Sequence, residues 1–209
     1  MEIIRKQTSN YSILNNRKIL GVVLHITEGT VESTINWFRS VESGVSAHYL
    51  VGKDGQVYQF VREEDIAWSN GRINKPSWNL LPKDQNGNTH TISVEHEGYS
   101  TDVWPEKQKQ ASADLIKDIC VRNNLPIDRE HIVGHYQIDK INRPDCPAKD
   151  KKIIDELILL ANQPAETTQT QPESTQELPK TTQESVKLGI IERLIELYKE
   201  LIRLLSGGK

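Results

Sequence analysis

The chain has 209 residues, 36% apolar and 26% charged, an ordinary balance for a folded protein and not that of a fibrous or wholly disordered one. Its formal net charge of −3 offers no electrostatic basis for holding nucleic acid, and no apolar run reaches the roughly 18 residues of a membrane span. Two cysteines, Cys120 and Cys146, do not make a disulfide scaffold, and the opening "MEIIRKQTSNYSILNN" lacks the apolar core of a signal peptide, so synthesis and initial residence in the cytoplasm are expected.

Residues 1–163 read as one folded body. "ILGVVLHIT" (19–27) is continuous and β-branched, the pattern of a buried central strand. "TVESTINWFRS" (30–40) reads as a helix opened by Thr30, and 47–61 as a hairpin turning at Asp54-Gly55. "TISVEHEG" (91–98) alternates as a strand, and 105–124 is a helix with Pro105 in its first turn. "HIVGH" (131–135) is a short strand leading into the Asn-, Asp- and Pro-rich loop "YQIDKINRPDCPAKD", and 150–162 closes the body as a helix. Mixed strands and helices without a repeat predict an α/β fold, a central mixed β-sheet flanked by helices. Residues 164–185, rich in Thr, Gln, Pro and Glu, predict a disordered linker. Residues 186–209 predict a C-terminal amphipathic helical tail, with an apolar stripe through Ile191, Leu194, Tyr198, Leu201 and Leu205.

The six histidines are candidate ligands to be tested against packing. His131 and His135, joined by extended chain, would lie roughly 13 Å apart and cannot share one ion. Of the two, His135 meets the irregular loop. His25 ends the central strand, where α/β sheets place ligands. His48 sits on the hairpin beside Tyr49 without a second ligand on its strand, His90 follows a polar loop, and His96 shares the apolar face of its strand with Ile92 and Val94. Cys120 lies on the apolar face of a helix and reads as a small core residue. Cys146, between Asp145 and Pro147, has no such pattern, and thiolate chemistry explains it better. His25, His135 and Cys146 thus form the minimal set for a zinc ion with a fourth position left for water. Ser93, Glu95 and Glu97 share the other face of their strand, and Glu95, deeper than Glu97, is the carboxylate expected to act.

Together, "VVLHITEG", "SAHYLVGKDGQVYQFV", "IAWSNG", "TISVEHEG" and "HIVGHYQIDKINRPDCP", in that order over residues 15 to 160, resemble the zinc-dependent N-acetylmuramoyl-L-alanine amidases of the type-2 family. That family includes phage endolysins and wall and recycling amidases, and is related to peptidoglycan recognition proteins. The resemblance implies Zn2+ on His25, His135 and Cys146, and Glu95 as the catalytic glutamate. It departs at Ala47, where some relatives carry a catalytic Tyr, and at Pro144, where some carry a Lys whose charge Arg143 is expected to replace. It departs again at Ser69, where many have His. His48 is assigned to the oxyanion, and Trp68 and Trp78 to the walls of a glycan or peptide cleft.

The implied reaction is hydrolysis of the amide between the lactyl group of N-acetylmuramic acid and L-alanine, with peptidoglycan as the partner. Three alternatives stay open: a non-catalytic peptidoglycan-binding module, a zinc-stabilised structural protein, and a cytoplasmic muropeptide-recycling amidase. The linker and tail favour a lysin acting on the wall. The tail itself, a helix too short to be stable alone, is expected to pair with a second copy, with a membrane surface as the next choice because its polar face is mixed in sign.

Overall fold

The computed structural model describes residues 1–14, 16–82 and 86–164. The linker and helical tail expected from the sequence lie, but for Pro164, outside the described residues. In chain order the strands are β1 (Ile3–Arg5), β2 (Tyr11–Ser12), β3 (Gly21–Ile26), β4 (Tyr49–Val51), β5 (Val57–Gln59), β6 (Ile66–Ala67), β7 (Thr91–His96) and β8 (Ile132–Gly134), with helices α1 (Val31–Arg39), α2 (Glu106–Asn123) and α3 (Lys152–Ala161). Six strands form one sheet in the order β1-β5-β4-β7-β3-β8, and β2 and β6 form a separate antiparallel ribbon. Within the large sheet only the β4–β5 hairpin is antiparallel; β1 with β5, β4 with β7, β7 with β3, and β3 with β8 run parallel.

The sheet is covered on both faces, which is why β3 is apolar at almost every position and buried throughout. Alternation along the strand assigns the residues. Val22, Leu24 and Ile26 join Ile92 and Val94 of β7 beneath α2 and α3, against Leu115, Ile116, Ile119, Ile154 and Leu157. Each such side chain, fully withdrawn from water, contributes about 1.5–3 kcal/mol. Val23 faces the other way, into a cluster with Trp78, Leu81, Val133 and Ile138. On that side α1 also packs, sending Phe38 against Leu50, Phe60 and Ala67.

Helix α1 begins where the sequence predicts. The Thr30 hydroxyl accepts from Ser33 N at 3.2 Å, and the Ser33 hydroxyl accepts from Thr30 N at 3.0 Å, a reciprocal cap. The Glu97 carboxylate adds a second anchor. It accepts from Val31 N (3.1 Å) and from Lys53 N (2.8 Å), placing a negative charge at the positive end of α1 and tying the helix to the end of β7. Pro105 stands at the N-cap of α2, one position before the first turn expected for it, and α2 ends at Asn124 in the left-handed region, φ 52°.

Register decides what this frame presents. β3 and β7 pair with His25 opposite Glu95, and β3 and β8 pair with Leu24 opposite Gly134. His25 and Glu95 therefore share one face at the carboxyl ends of parallel strands, and His135 emerges beside them from the end of β8. Open α/β sheets use this position for ligands.

Candidate active site

A cleft of about 650 Å3 opens at these strand ends, lined by His25, Glu95, His135, Arg143 and Cys146 and by α1 residues, among them Trp37. The ligand atoms of His25, His135 and Cys146 all lie within 4.8 Å of one another, and all three residues are buried. The edge of a tetrahedral zinc site is roughly 3.5 Å by the usual bond lengths, so small side-chain rotations close the set. His135 Nε2 lies 2.9 Å from the Asn70 carbonyl oxygen. A carbonyl only accepts, so Nε2 holds the proton and Nδ1 keeps its lone pair. Cys146 is held by the backbone: its N donates to Arg143 O and its carbonyl accepts from Tyr136 N, both at 3.2 Å. The chain is closely packed just before His135, since a Cβ on Gly134 would lie 2.6 Å from Tyr136 Cε1 and 2.8 Å from Pro147 Cδ, so a larger residue there would force these rings to shift.

Burial sets the charges. Desolvation, with the neighbouring His135 next, holds the His25 imidazole well below its usual pKa, and desolvation likewise brings His135 down to about 4. Both rings are therefore neutral, as metal ligands must be. Burial, then the Glu95 charge, pushes the Cys146 thiol up. A sulfur so placed becomes thiolate only with a cation beside it. Two neutral imidazoles and a thiol awaiting a cation suit zinc. Glu95 Oε2 is buried without a hydrogen bond among the described residues, and desolvation raises the carboxyl to about 8, against the pull of Arg143. A carboxyl poised near neutrality can take a proton and return it.

The residues expected to act separate into two groups. His25, Glu95, His135, Cys146, Trp68 and Arg143 all line the cleft. His48 and Trp78 do not. His48 is fully buried with Nδ1 3.0 Å from Ser93 Oγ and Nε2 3.2 Å from Asp65 O, which leaves no free ring nitrogen for an oxyanion. Trp78, expected in the cleft wall, is instead a core residue. It packs in the Val23 cluster with Nε1 donating to Glu130 O at 2.7 Å, and its ring fills the space where Gly21 has no Cβ. His96 packs under the sheet as its alternation suggested, 2.9 Å from His25 O and 2.8 Å from Ser112 Oγ. Sequence reasoning missed Trp37, which lines the cleft while 57% exposed. The signal was present: in α1 Thr34 and Phe38 point inward, and a large aromatic off that stripe calls for another role.

A buried His-His-Cys cluster facing a glutamate whose buried oxygen has no hydrogen bond among the described residues, at the strand ends of an α/β sheet, has the make-up of a metal-dependent hydrolase centre. Residues 15–149 match the family model described as N-acetylmuramoyl-L-alanine amidase, and the chain belongs to that family. It is 37% identical over 121 residues to N-acetylmuramoyl-L-alanine amidase A of Achromobacter lyticus, a match spanning 56% of this chain and 60% of that protein. Among solved structures, the selenomethionine derivative of AmpD superposes with a TM-score of 0.62 at 21% identity, over 75% of this chain and 94% of that one. The amidase AmiD from E. coli, solved with the substrate anhydro-N-acetylmuramic acid-L-Ala-D-gamma-Glu-L-Lys, gives 0.52 at 23% identity, over 62% and 54%. These structures share the fold.

Proposed function

We propose that the chain hydrolyses the amide between the lactyl group of N-acetylmuramic acid and L-alanine in peptidoglycan, with zinc held by His25, His135 and Cys146. The observation that carries this reading is the placement of Glu95 directly across the β3–β7 pair from His25, with its Oε2 buried and without a hydrogen bond among the described residues. Zinc bound there would supply a Lewis acid to the cleft. The protein does the rest. Glu95 accepts a proton from water as the water attacks the carbonyl carbon, and then delivers that proton to the departing nitrogen. The low-dielectric walls strengthen each charge interaction in this step. Arg143, exposed at the rim, offers a cation to stem carboxylates, and Trp68 offers an apolar wall. Retention of a carboxyl suited to proton transfer speaks against a module that only binds, which needs no base.

The intact wall is the preferred target over soluble muropeptides. The polar stretch at 164–185 and the apolar stripe at 186–205 add a second feature that small soluble substrates do not require. Self-association through the stripe fits its heptad-like spacing, ahead of a membrane surface. Digestion of purified sacculi tests the reaction: new alanine amino termini should appear without new reducing sugar ends. The opposite product pattern would make the enzyme a glycosidase.

A further inference from the structure

The "AWSNG" segment contributes more than a wall residue. Asn70 is 1% exposed and held from several directions. Its backbone N donates to Asn88 Oδ1 at 2.7 Å, and the same oxygen takes Ser69 N at 3.1 Å. Its Nδ2 donates to Gly87 O at 2.9 Å and to Thr91 Oγ1 at 2.8 Å. Gly87 O can only accept, and the Thr91 hydroxyl gives its own proton to Gly87 O at 2.8 Å. The amide orientation is therefore fixed by its partners: the NH2 faces Gly87 and Thr91, and Oδ1 faces away from them. Among the described residues Oδ1 is buried without a hydrogen bond, and so is His25 Nε2. The Asn70 side chain lies beside the His25 ring and opposes the lowering of its pKa, and that ring lies 4.4 Å, centroid to centroid, from the His135 ring already bonded to the Asn70 backbone carbonyl.

We propose that Asn70 is the positioning residue for both imidazoles of the cluster, its backbone carbonyl serving His135 and its side-chain carbonyl serving His25. The inference rests on the zinc reading above. A ring that gives one nitrogen to an ion carries a proton on the other, and a buried N–H needs an acceptor. The unpaired Asn70 Oδ1 and the unpaired His25 Nε2 are a matched acceptor and donor, and a small side-chain rotation joins them. Both rings then hold the Nε2–H tautomer and turn Nδ1 toward the cluster. Acceptors on the remote nitrogen also raise the donor strength of the ring. A single residue so fixes orientation and basicity for two ligands contributed by different strands.

The test uses the full chain and zinc alone, with affinity read by chelator competition. Asn70→Ala should weaken zinc binding by about 10- to 100-fold, the usual effect of removing such a partner. Asn70→Asp keeps an acceptor oxygen beside His25 while losing both amide donors, and should recover most of that loss. A merely structural Asn70 gives the reverse order, since Asp buries a charge and breaks both donor bonds, and equal affinities in all three proteins would likewise overturn the proposal. A second measurement needs no variant: nitrogen-15 spectra of the zinc-loaded wild type should show a slowly exchanging Nε2–H on both His25 and His135. A proton on His25 Nδ1 would refute the assignment. If the wild type takes up no zinc, the zinc reading itself fails, which is distinct from wild type and Asn70→Ala binding zinc equally.

Discussion

Glu95→Gln is expected to keep its fold and its zinc while turnover falls at least about a hundredfold, the lower end of what a positioned base contributes. That factor corresponds to about 2.7 kcal/mol of lost transition-state stabilisation. The change is nearly isosteric, and Oε2 makes no hydrogen bond among the described residues, so the amide disturbs little packing. What it removes is the ability to take a proton. The carboxyl stands at about 8 because burial disfavours its charge, with Arg143 opposing; a cation in the cleft would lower it further toward the ionised form that acts as a base. The measurement is turnover alongside metal content and thermal midpoint. Unchanged turnover at unchanged metal content would leave Glu95 a buried bystander.

Cys146→Ala is expected to lose most of its zinc and, with it, the hydrolytic activity. The thiolate is the only anionic donor of the three, so its removal leaves two neutral imidazoles to hold a dication. Metal analysis after dialysis reads the loss directly. The protein should remain folded, because the surrounding core of Val22, Leu24, Ile154 and Leu157 does not depend on the sulfur. Zinc affinity of the unaltered protein should also fall with pH, as protons compete for imidazole nitrogen and thiolate. A Cys146→Ala protein that kept its full complement of zinc would contradict the ligand assignment.

Much of the frame is legible before any coordinates. The β-branched run of β3 and the length of α2 leave little ambiguity, and Thr30 announces α1. β1, β2 and β6 are not legible: two or three residues carry no period to detect, and unlike the equally short β4, β5 and β8 they have neither the Asp54-Gly55 turn nor the Asn-, Asp- and Pro-rich loop after His135 to mark them. Alternation along β7 tells which face Glu95 shares with Ser93, but the pairing of Glu95 with His25 belongs to register between strands far apart in the chain. Local sequence misleads at Cys146. Its neighbours Asp145 and Pro147 suggest an exposed loop, yet the sulfur is buried against the core, because the loop folds back over the strand ends. Aromatic residues are ambiguous by nature. Trp68 and Trp78 both read from the sequence as cleft-wall candidates, and of the two only Trp68 lines it, since a tryptophan buries as readily in a core as in a site. Asn70 gives no signal at all in sequence, for its role depends on which loops surround it.

The claim at the centre is that an ion held by His25, His135 and Cys146 enables amide hydrolysis. It is tested most directly by stripping metal from the full chain and titrating zinc back while counting alanine amino termini released from sacculi. The metal-free protein should be inactive, with activity rising in proportion to added zinc and levelling at about one ion per chain. Undiminished release of alanine termini by the rigorously metal-free protein would contradict it.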